Sequence, residues 1–381
     1  MSLIRKYTDR VIFSSFALST EALGLYRIFY SCYLLIFGIP VVLWLDNFPS
    51  AFYNPPLLSL SGLFSNFPGF PFLLFISFLT CLLPVLLLFG YKTRLVSILL
   101  AFCILFEKSF AYSLGKIDHD FLMWMVPLIL AFSNWGMAFS LDARYSQKDS
   151  SRSAQSWPVT LLALVLCLGM FSAGFPKLMG GWLDFSTQAV RGHFLREFYF
   201  NERQELLAPL LLSLDSPLLW EVLDYAGVLL ECLFLFALVK PNLFRGFVLL
   251  AILFHVLNYL LLNISFSDNY ILYMLFIDWK AVVPYLREKR VLARVKKSVS
   301  FRSISLLIGL QAFFFIFYLS TGYTALTLSP SKYLFEQVWD FSSLFLNGLI
   351  IVGGLLIALV NAVNFFRRKN FTPKLETTKS T

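Results

Sequence analysis

The sequence contains few of the residues from which soluble enzymes usually build their active sites. Only 14% of the 381 residues are charged, three are histidines and five are cysteines. It has no Walker loop and no GxGxxG, HExxH or GxSxG motif, so the common signatures of ATPases, dehydrogenases, zinc proteases and α/β-hydrolases are absent. It also has no CxxC pair, and all five cysteines fall in apolar stretches, which indicates core residues rather than disulfides or a zinc site.

Apolar residues, by contrast, are abundant. The chain is 58% hydrophobic, contains 43 phenylalanines and has a mean hydropathy of +0.74. Apolar runs of about 20 residues recur, and each is long enough to cross a hydrocarbon layer roughly 30 Å thick. A soluble chain of this length could not bury so much apolar surface. The sequence therefore predicts an all-α, polytopic helical membrane bundle embedded in a lipid bilayer.

The net charge of +9 is explained by membrane topology and does not predict a nucleic-acid partner. The cations lie in loops between the apolar runs, and no basic patch carries groove-reading chemistry. We predict about ten transmembrane segments, at roughly 22–45, 70–90, 95–114, 121–139, 159–176, 218–239, 243–262, 267–285, 303–322 and 342–365. With the N-terminus inside, most Lys and Arg residues fall in inner segments, so both termini are expected to be cytoplasmic.

These segments predict five regions along the chain. They are a cytoplasmic N-terminus at 1–20, a transmembrane domain at 21–285, a basic cytoplasmic loop at 286–302, two further spans at 303–365 and a polar cytoplasmic tail at 366–381. The first twenty residues lack the apolar core of a signal peptide, so we expect the first span to be retained. A bacterial inner membrane is the expected location.

The stretch FSAGFPKLMGGWLD, residues 171–184, places Lys177 at the edge of an apolar span. Pro176 and the Gly180–Gly181 pair are expected to break the helix, and Trp182 has a ring suited to a membrane interface. A cation in this position is a functional candidate because burying it is costly. The alternative is a lysine that extends to the interface. The following outer segment, 177–217, is apolar enough to form short helices along the interface.

All three histidines are predicted to lie toward the outer side. His119 opens the fourth span, His193 lies in the outer loop, and His255 lies in the seventh span with Asn258 on the same helical face. Together with Lys177, they predict a cluster of Lys177, His119, His255 and Asn258. The alternative for His119 is a bond to a backbone carbonyl. Asp118 and Asp120 flank it, but no metal is expected there, because consecutive residues at a helix start rarely converge on one ion.

Other polar side chains lie within the spans: Arg27, Glu107, Lys108, Asp224 and Glu231. Glu107 and Lys108 are neighbours in a helix, so they need not pair. Glu231 is expected to form an ion pair with Arg27 or Lys108, and a proton or ion path is the alternative.

Four stretches carry a resemblance to a known family. They are ALGLYRIFYSCYLLIFG, DHDFLMWMVPLILAFSNWGMAFSLD, SAGFPKLMGGWLDF and the paired spans from LLECLF to FIDW with their Phe-His-x-x-Asn element. Their order and spacing over residues 15–285 resemble the HTTM domain, the membrane region of vitamin K-dependent gamma-carboxylase and its bacterial relatives.

The resemblance implies a carboxylase-like membrane cavity. Lys177 matches the base that deprotonates vitamin K hydroquinone, and His119 and His255 match residues of the same active region. Asn258, His193, Trp182 and Glu231 are then expected to line the cavity. The implied cofactor is a reduced quinone, with oxygen and carbon dioxide as co-substrates, and the implied reaction is carboxylation or oxygenation.

Two other functions stay open as hypotheses. No propeptide-binding module is visible, and some relatives are needed for maturation of an exported bacterial toxin. A non-catalytic maturation factor for an exported protein or peptide is therefore the first alternative. A transporter that uses Glu107, Lys108 and Glu231 is the second, although no inverted repeat or pair of broken spans is visible.

Overall fold

A computed structural model of the protein describes residues 15–57, 59–114, 121–145, 154–214, 216–264 and 266–322. It also describes residues 327–328, 348, 352–353, 355–356 and 359. The α-helices in this part of the chain are α1 Thr20–Phe37, α2 Phe70–Phe89, α3 Thr93–Ala111, α4 Leu122–Leu130, α5 Leu141–Tyr145, α6 Trp157–Met179, α7 Ala189–Tyr199, α8 Ala208–Leu212, α9 Pro217–Leu233, α10 Pro241–Leu262, α11 Ser267–Leu275, α12 Trp279–Glu288, α13 Val291–Ser298 and α14 Phe301–Ser320.

The remaining elements are short. Five 3-10 helices span Leu43–Asn47, Ser50–Phe52, Ser61–Leu63, Tyr112–Leu114 and Phe234–Val239. Two-residue strands, β1 Ile39–Pro40 and β2 Thr327–Leu328, pair in antiparallel fashion. The described residues are therefore overwhelmingly helical, as predicted.

Six helical segments of the described residues are long and apolar enough to cross a membrane. They are Phe70–Phe89, Thr93–Leu114, Trp157–Met179, Pro217–Val239, Pro241–Leu262 and Phe301–Ser320. They correspond to the second, third, fifth, sixth, seventh and ninth predicted spans. The tenth predicted span lies almost wholly outside the described residues.

Three predicted spans have a different structure from a single long helix. The first ends early, because α1 stops at Phe37 and Gly38 takes a φ of 146°. The fourth contains only the nine-residue α4. The eighth is divided between α11 and α12 by a break at residues 276–278. Apolar composition alone did not reveal where the helices in these segments are interrupted.

The chain forms two compact units. The first comprises Met1–Val165, Ser267–Leu275 and Val283–Gly348, and the second comprises Leu166–Phe266, Phe276–Val282 and Leu349–Thr381. In each unit, buried polar side chains fix segments that are distant in sequence.

In the first unit, Arg27 of α1 is completely buried. Its Nη1 donates to the carbonyl oxygen of Trp135 at 3.4 Å, and its Nη2 donates to that of Phe139 at 2.6 Å. The guanidinium also occupies the space beside Gly90, where a Cβ atom would lie 2.3 Å from Nη1. The residue after α2 is therefore a glycine for steric as well as conformational reasons, since its φ is +63°.

Asp142 caps α3 in the same unit. Its two carboxylate oxygens accept hydrogen bonds from the backbone N–H groups of Lys92 and Thr93, at 2.8 and 2.7 Å. The Thr93 hydroxyl donates to it as well, at 2.6 Å. A carboxylate at a helix N-terminus satisfies free N–H groups and complements the helix dipole. The short turn between α2 and α3 is thereby held in place.

The second unit contains the C-terminal part of α6 together with α7–α10. Phe194 and Trp220 stack at a centroid distance of 5.6 Å, within a buried cluster that also contains Phe198, Ala208 and Leu211. This packing holds α7 and α8, the predicted short helices of the outer segment, against α9.

Candidate functional site

Lys177 forms an ion pair with Glu231. Its Nζ donates to Oε1 at 2.6 Å and to Oε2 at 2.8 Å, so both carboxylate oxygens are engaged. The Lys177 side chain is 26% exposed and that of Glu231 is 6% exposed. Lys177 lies in the last turn of α6 and Glu231 lies in α9, 54 residues later. Charge-assisted bonds of this length are among the stronger hydrogen bonds in proteins.

Close approach of the two helices makes this pair possible. A Cβ atom placed on Gly174 would lie 2.6 Å from Glu231 Cβ and 3.0 Å from the backbone nitrogen of Cys232. Gly174 precedes Lys177 by three residues, so both lie on one face of α6. A small residue at a helix crossing lets the backbones come together. Gly174 therefore brings Glu231 within reach of Lys177.

The structure corrects the predicted ion-pair partner of Glu231. Glu231 forms its ion pair with Lys177, whereas the sequence suggested Arg27 or Lys108 as the partner. Arg27 donates to main-chain oxygens, and Lys108 Nζ lies 3.5 Å from Glu107 Oε2. Neighbours in a helix can meet at this distance when both side chains bend toward the same side.

The helix is not broken at Pro176, contrary to prediction. α6 continues through this residue to Met179. The chain turns only at Gly180–Gly181, where Gly181 has a φ of +77°. The N–H of Trp182 then donates to the Lys177 carbonyl oxygen at 3.2 Å, which folds Trp182 back toward the helix end.

Trp182 lies next to the ion pair. Lys177 Nζ is 5.1 Å from the centroid of its ring, a distance at which a cation is attracted to the aromatic face. The ring of His193 is 5.3 Å from that of Trp182. Lys177, Glu231, Trp182 and His193 therefore form one continuous group, which we call the lysine cluster.

His193 belongs to α7, and Asp224 of α9 fixes the start of that helix. The carboxylate of Asp224 accepts hydrogen bonds from the backbone N–H groups of Ala189 and Val190, at 2.8 and 2.7 Å. Partial burial lowers the pKa of His193 below its ordinary value. The Arg196 and Lys177 cations lower it further, whereas nearby carboxylates act in the opposite sense. These effects favour a neutral imidazole beside Trp182.

The other predicted site residues lie elsewhere on the chain. His255 is buried in α10, where its ring stacks on Phe266 at 4.6 Å and lies 5.5 Å from the Phe254 ring. Asn258 is half-buried on the same helix. His119 lies outside the described residues. The grouping of these three with Lys177 thus stays a prediction, while the lysine cluster contains four predicted site residues that the structure brings together.

A scan of the described residues for three or more His, Cys, Asp and Glu side chains that could hold a metal ion finds no such group. In the lysine cluster, the Glu231 carboxylate is already occupied by an ammonium group. What the cluster offers chemically is a lysine and a carboxylate at hydrogen-bond distance, bordered by the rings of Trp182 and His193.

A family profile for the HTTM domain matches residues 17–279, about two thirds of the chain. The chain belongs to the HTTM domain family. With six apolar helices of membrane-spanning length, this HTTM protein is an integral membrane protein. No curated protein and no solved structure matches the chain.

The HTTM match includes the whole lysine cluster as well as His255 and Asn258. Sequence reasoning found Lys177, Trp182, His193 and Glu231 but missed two residues that position them. Gly174, three residues before Lys177, was a visible signal for a close helix crossing. Asp224 lies seven residues before Glu231, two helical turns away on the same face, and that spacing was a signal too.

Proposed function

We propose that this HTTM protein is a membrane enzyme in which Lys177 acts as a general base on a lipid-soluble substrate. The observation that supports it is the contact of Lys177 Nζ with both oxygens of Glu231 in a partly buried position. A base needs a lone pair to accept a proton and a neighbour that stabilises the cation it becomes. Glu231 supplies that neighbour.

The proposed substrate is a reduced, vitamin K-like quinone. Its phenolic hydroxyl is acidic enough for an amine to deprotonate, and its apolar body partitions into the membrane. When Lys177 accepts this proton it becomes an ammonium group, and the ion pair with Glu231 forms. Trp182 adds a favourable π face at 5.1 Å. On this proposal, the observed geometry corresponds to Lys177 after it has accepted the proton.

The later chemistry follows from the family resemblance. When bound, a reduced quinone would supply, together with oxygen and carbon dioxide, the chemistry of carboxylation or oxygenation. We assign His255 and Asn258 to the wall of the cavity together with His119. The lowered pKa of His193 favours its neutral imidazole, and a neutral imidazole has one nitrogen that can accept a hydrogen bond.

We further propose that the protein resides in a bacterial inner membrane with both termini in the cytoplasm. The distribution of Lys and Arg among the loops supports this orientation. The lysine cluster would then face the outer side of the membrane, where a lipid-soluble substrate enters from the outer leaflet.

Oxygen uptake tests this proposal directly. Purified protein in lipid nanodiscs is given vitamin K hydroquinone or reduced menaquinone, and dissolved oxygen is followed with an electrode. We expect Lys177→Ala to abolish protein-dependent uptake and Glu231→Gln to reduce it. Lys108→Ala is the matched control, since Lys108 is also a mostly buried lysine paired with a glutamate. Unchanged uptake in Lys177→Ala would contradict the assignment of the base.

A second candidate is a maturation factor for an exported protein. The outer segment around α7 and α8 exposes large apolar side chains, with Phe200 85% exposed and Tyr199 and Leu210 also exposed. Co-purification of an exported partner that survives Lys177→Ala but is lost in Phe200→Ser would favour this function over the enzyme. A transporter stays as the third hypothesis, and proteoliposome flux that stops on Glu231→Gln would support it.

A further inference from the structure

One end of the first unit gathers three chain segments that are far apart in sequence. Arg144 Nη1 donates to the carbonyl oxygen of Val299 at 2.8 Å. The rings of Tyr145 and Phe301 lie 5.7 Å apart, and those of Tyr91 and Phe301 lie 6.5 Å apart. The turn between α2 and α3, the short helix α5 and the junction between α13 and α14 therefore meet here.

An apolar cluster beneath these contacts fixes the arrangement. It consists of Val85, Phe89, Leu141, Val299 and Ile304, all of them buried. Each of the three segments contributes at least one side chain to this cluster or packs directly beside it. The surface above is consequently a feature of the folded unit rather than a set of separate loops.

This surface is basic and lacks acidic residues. We define it as residues 91–94, 144–145 and 291–302 and call it the basic collar. These ranges contain seven Lys and Arg residues, all exposed, and no Asp or Glu. Asp142 lies nearby, but its oxygens accept hydrogen bonds from Lys92, Thr93 and the Thr93 hydroxyl. The basic collar therefore carries a net positive charge.

The collar lies at the ends of membrane-spanning helices. It includes the turn that joins α2 to α3, and it runs into the start of α14 at Phe301. Tyr145 and Phe301 are exposed there, and aromatic rings of this kind are typical of the level of lipid headgroups. Within α13, Leu292 is buried while Arg294, Lys296 and Lys297 face outward. The cations of the collar therefore lie beside the ends of these apolar helices.

We propose that the basic collar binds the headgroups of anionic phospholipids. Phosphodiester oxygens would accept hydrogen bonds from the Lys and Arg side chains, and the exposed aromatic rings would contact the glycerol and upper acyl region. Basic clusters directly beside a membrane span attract anionic lipid, because each added cation contributes to the attraction. The collar lies in the first unit and is independent of the proposed chemistry at Lys177 in the second.

Lipid association in nanodiscs tests the proposal. The full-length protein is placed in phosphatidylcholine containing a minor fraction of spin-labelled phosphatidylglycerol or spin-labelled phosphatidylcholine, and the immobilised fraction is measured. We expect a preference for phosphatidylglycerol that weakens as salt is added. In Lys296→Gln/Lys297→Gln, that preference should fall by about fivefold for each cation removed, and Lys296→Arg/Lys297→Arg should retain it.

A matched control separates a local site from overall charge. Arg191→Gln/Arg196→Gln removes the same charge from α7, outside the collar, and should leave the preference unchanged. An equal loss in this control would overturn the proposal, as would an unmodified protein with no preference for phosphatidylglycerol. Displacement of the lipid by millimolar inorganic phosphate would show instead that the collar takes a soluble anion. If the cations served only to set membrane topology, neither Lys296→Gln/Lys297→Gln nor Arg191→Gln/Arg196→Gln would change the preference for phosphatidylglycerol, and the proposal would be wrong.

Discussion

Gly174 lies directly against Glu231 where α6 crosses α9, with room for a hydrogen atom but not for a methyl group. The first prediction follows from this contact. Gly174→Ala should force the helices apart, destabilise the protein by about 1–3 kcal/mol and lengthen the contact between Lys177 and Glu231. Thermal unfolding in nanodiscs measures the loss of stability, and oxygen uptake should fall with it.

Gly246→Ala is the control for this substitution. Gly246 lies in α10, and a Cβ atom there meets nothing within 4 Å. Alanine favours a helix over glycine by about 1 kcal/mol, so this variant should be as stable as the original or slightly more so. If Gly174→Ala changed the free energy of unfolding no more than Gly246→Ala does, the helix crossing at Gly174 would tolerate a methyl group and the prediction would be wrong.

The second prediction concerns the ion pair itself. Glu231→Gln leaves the Lys177 ammonium beside a neutral amide, and we expect a loss of about 1–3 kcal/mol. This is less than for a fully buried pair, because a quarter of the Lys177 side chain is exposed to solvent. Thermal unfolding of Lys177→Met, Glu231→Gln and the double variant forms a mutant cycle. Strictly additive losses would argue against coupling between the two side chains.

The third prediction concerns Glu221 of α9, a carboxylate that the proposed chemistry does not use. Its residue is only 2% exposed, and neither carboxylate oxygen has a hydrogen-bond partner among the described residues. Burying such a group without a partner is costly. Glu221→Leu should therefore raise the unfolding temperature, whereas Val222→Leu, at an exposed neighbouring position, should change it little. A lower unfolding temperature for Glu221→Leu would contradict this reasoning.

The fourth prediction is a pH dependence that arises from His193. Its pKa is lower in the folded protein than the ordinary 6.5, mainly through burial. As the pH falls below 6.5, the unfolded chain takes up this proton first, so the folded state loses stability. His193→Gln should remove this part of the acid sensitivity. Unfolding temperatures measured between pH 7 and pH 5 for both proteins test it, and parallel curves would contradict it.

Apolar length predicted the membrane class and six of the spans because both depend on composition over about 20 residues. The interruptions were missed because they depend on single positions. Gly38 ends α1 through a φ of 146°, and α11 stops at Leu275 although the apolar residues Phe276 and Ile277 follow it. Where residues on every face of a helix are apolar, the hydrophobic periodicity carries little information about where the helix is interrupted.

The sequence predicted which residues belong to the candidate site better than it predicted which of them contact each other. Lys177, Trp182 and His193 lie close in sequence, so a single turn and a short helix were enough to bring them together. Glu231 is 54 residues from Lys177, and its partner is selected by the packing of α6 on α9. That selection depends on the absence of a side chain at Gly174, a long-range steric effect that charge alone does not reveal.

The buried arginine of the first unit has a consequence for how the chain assembles during synthesis. Arg27 belongs to α1, yet the carbonyl oxygens that accept its hydrogen bonds belong to Trp135 and Phe139, which are translated more than 100 residues later. A guanidinium in hydrocarbon without partners is costly. We therefore expect α1 to become fully stable in the bilayer only after α2, α3, α4 and the segment through Phe139 have been translated.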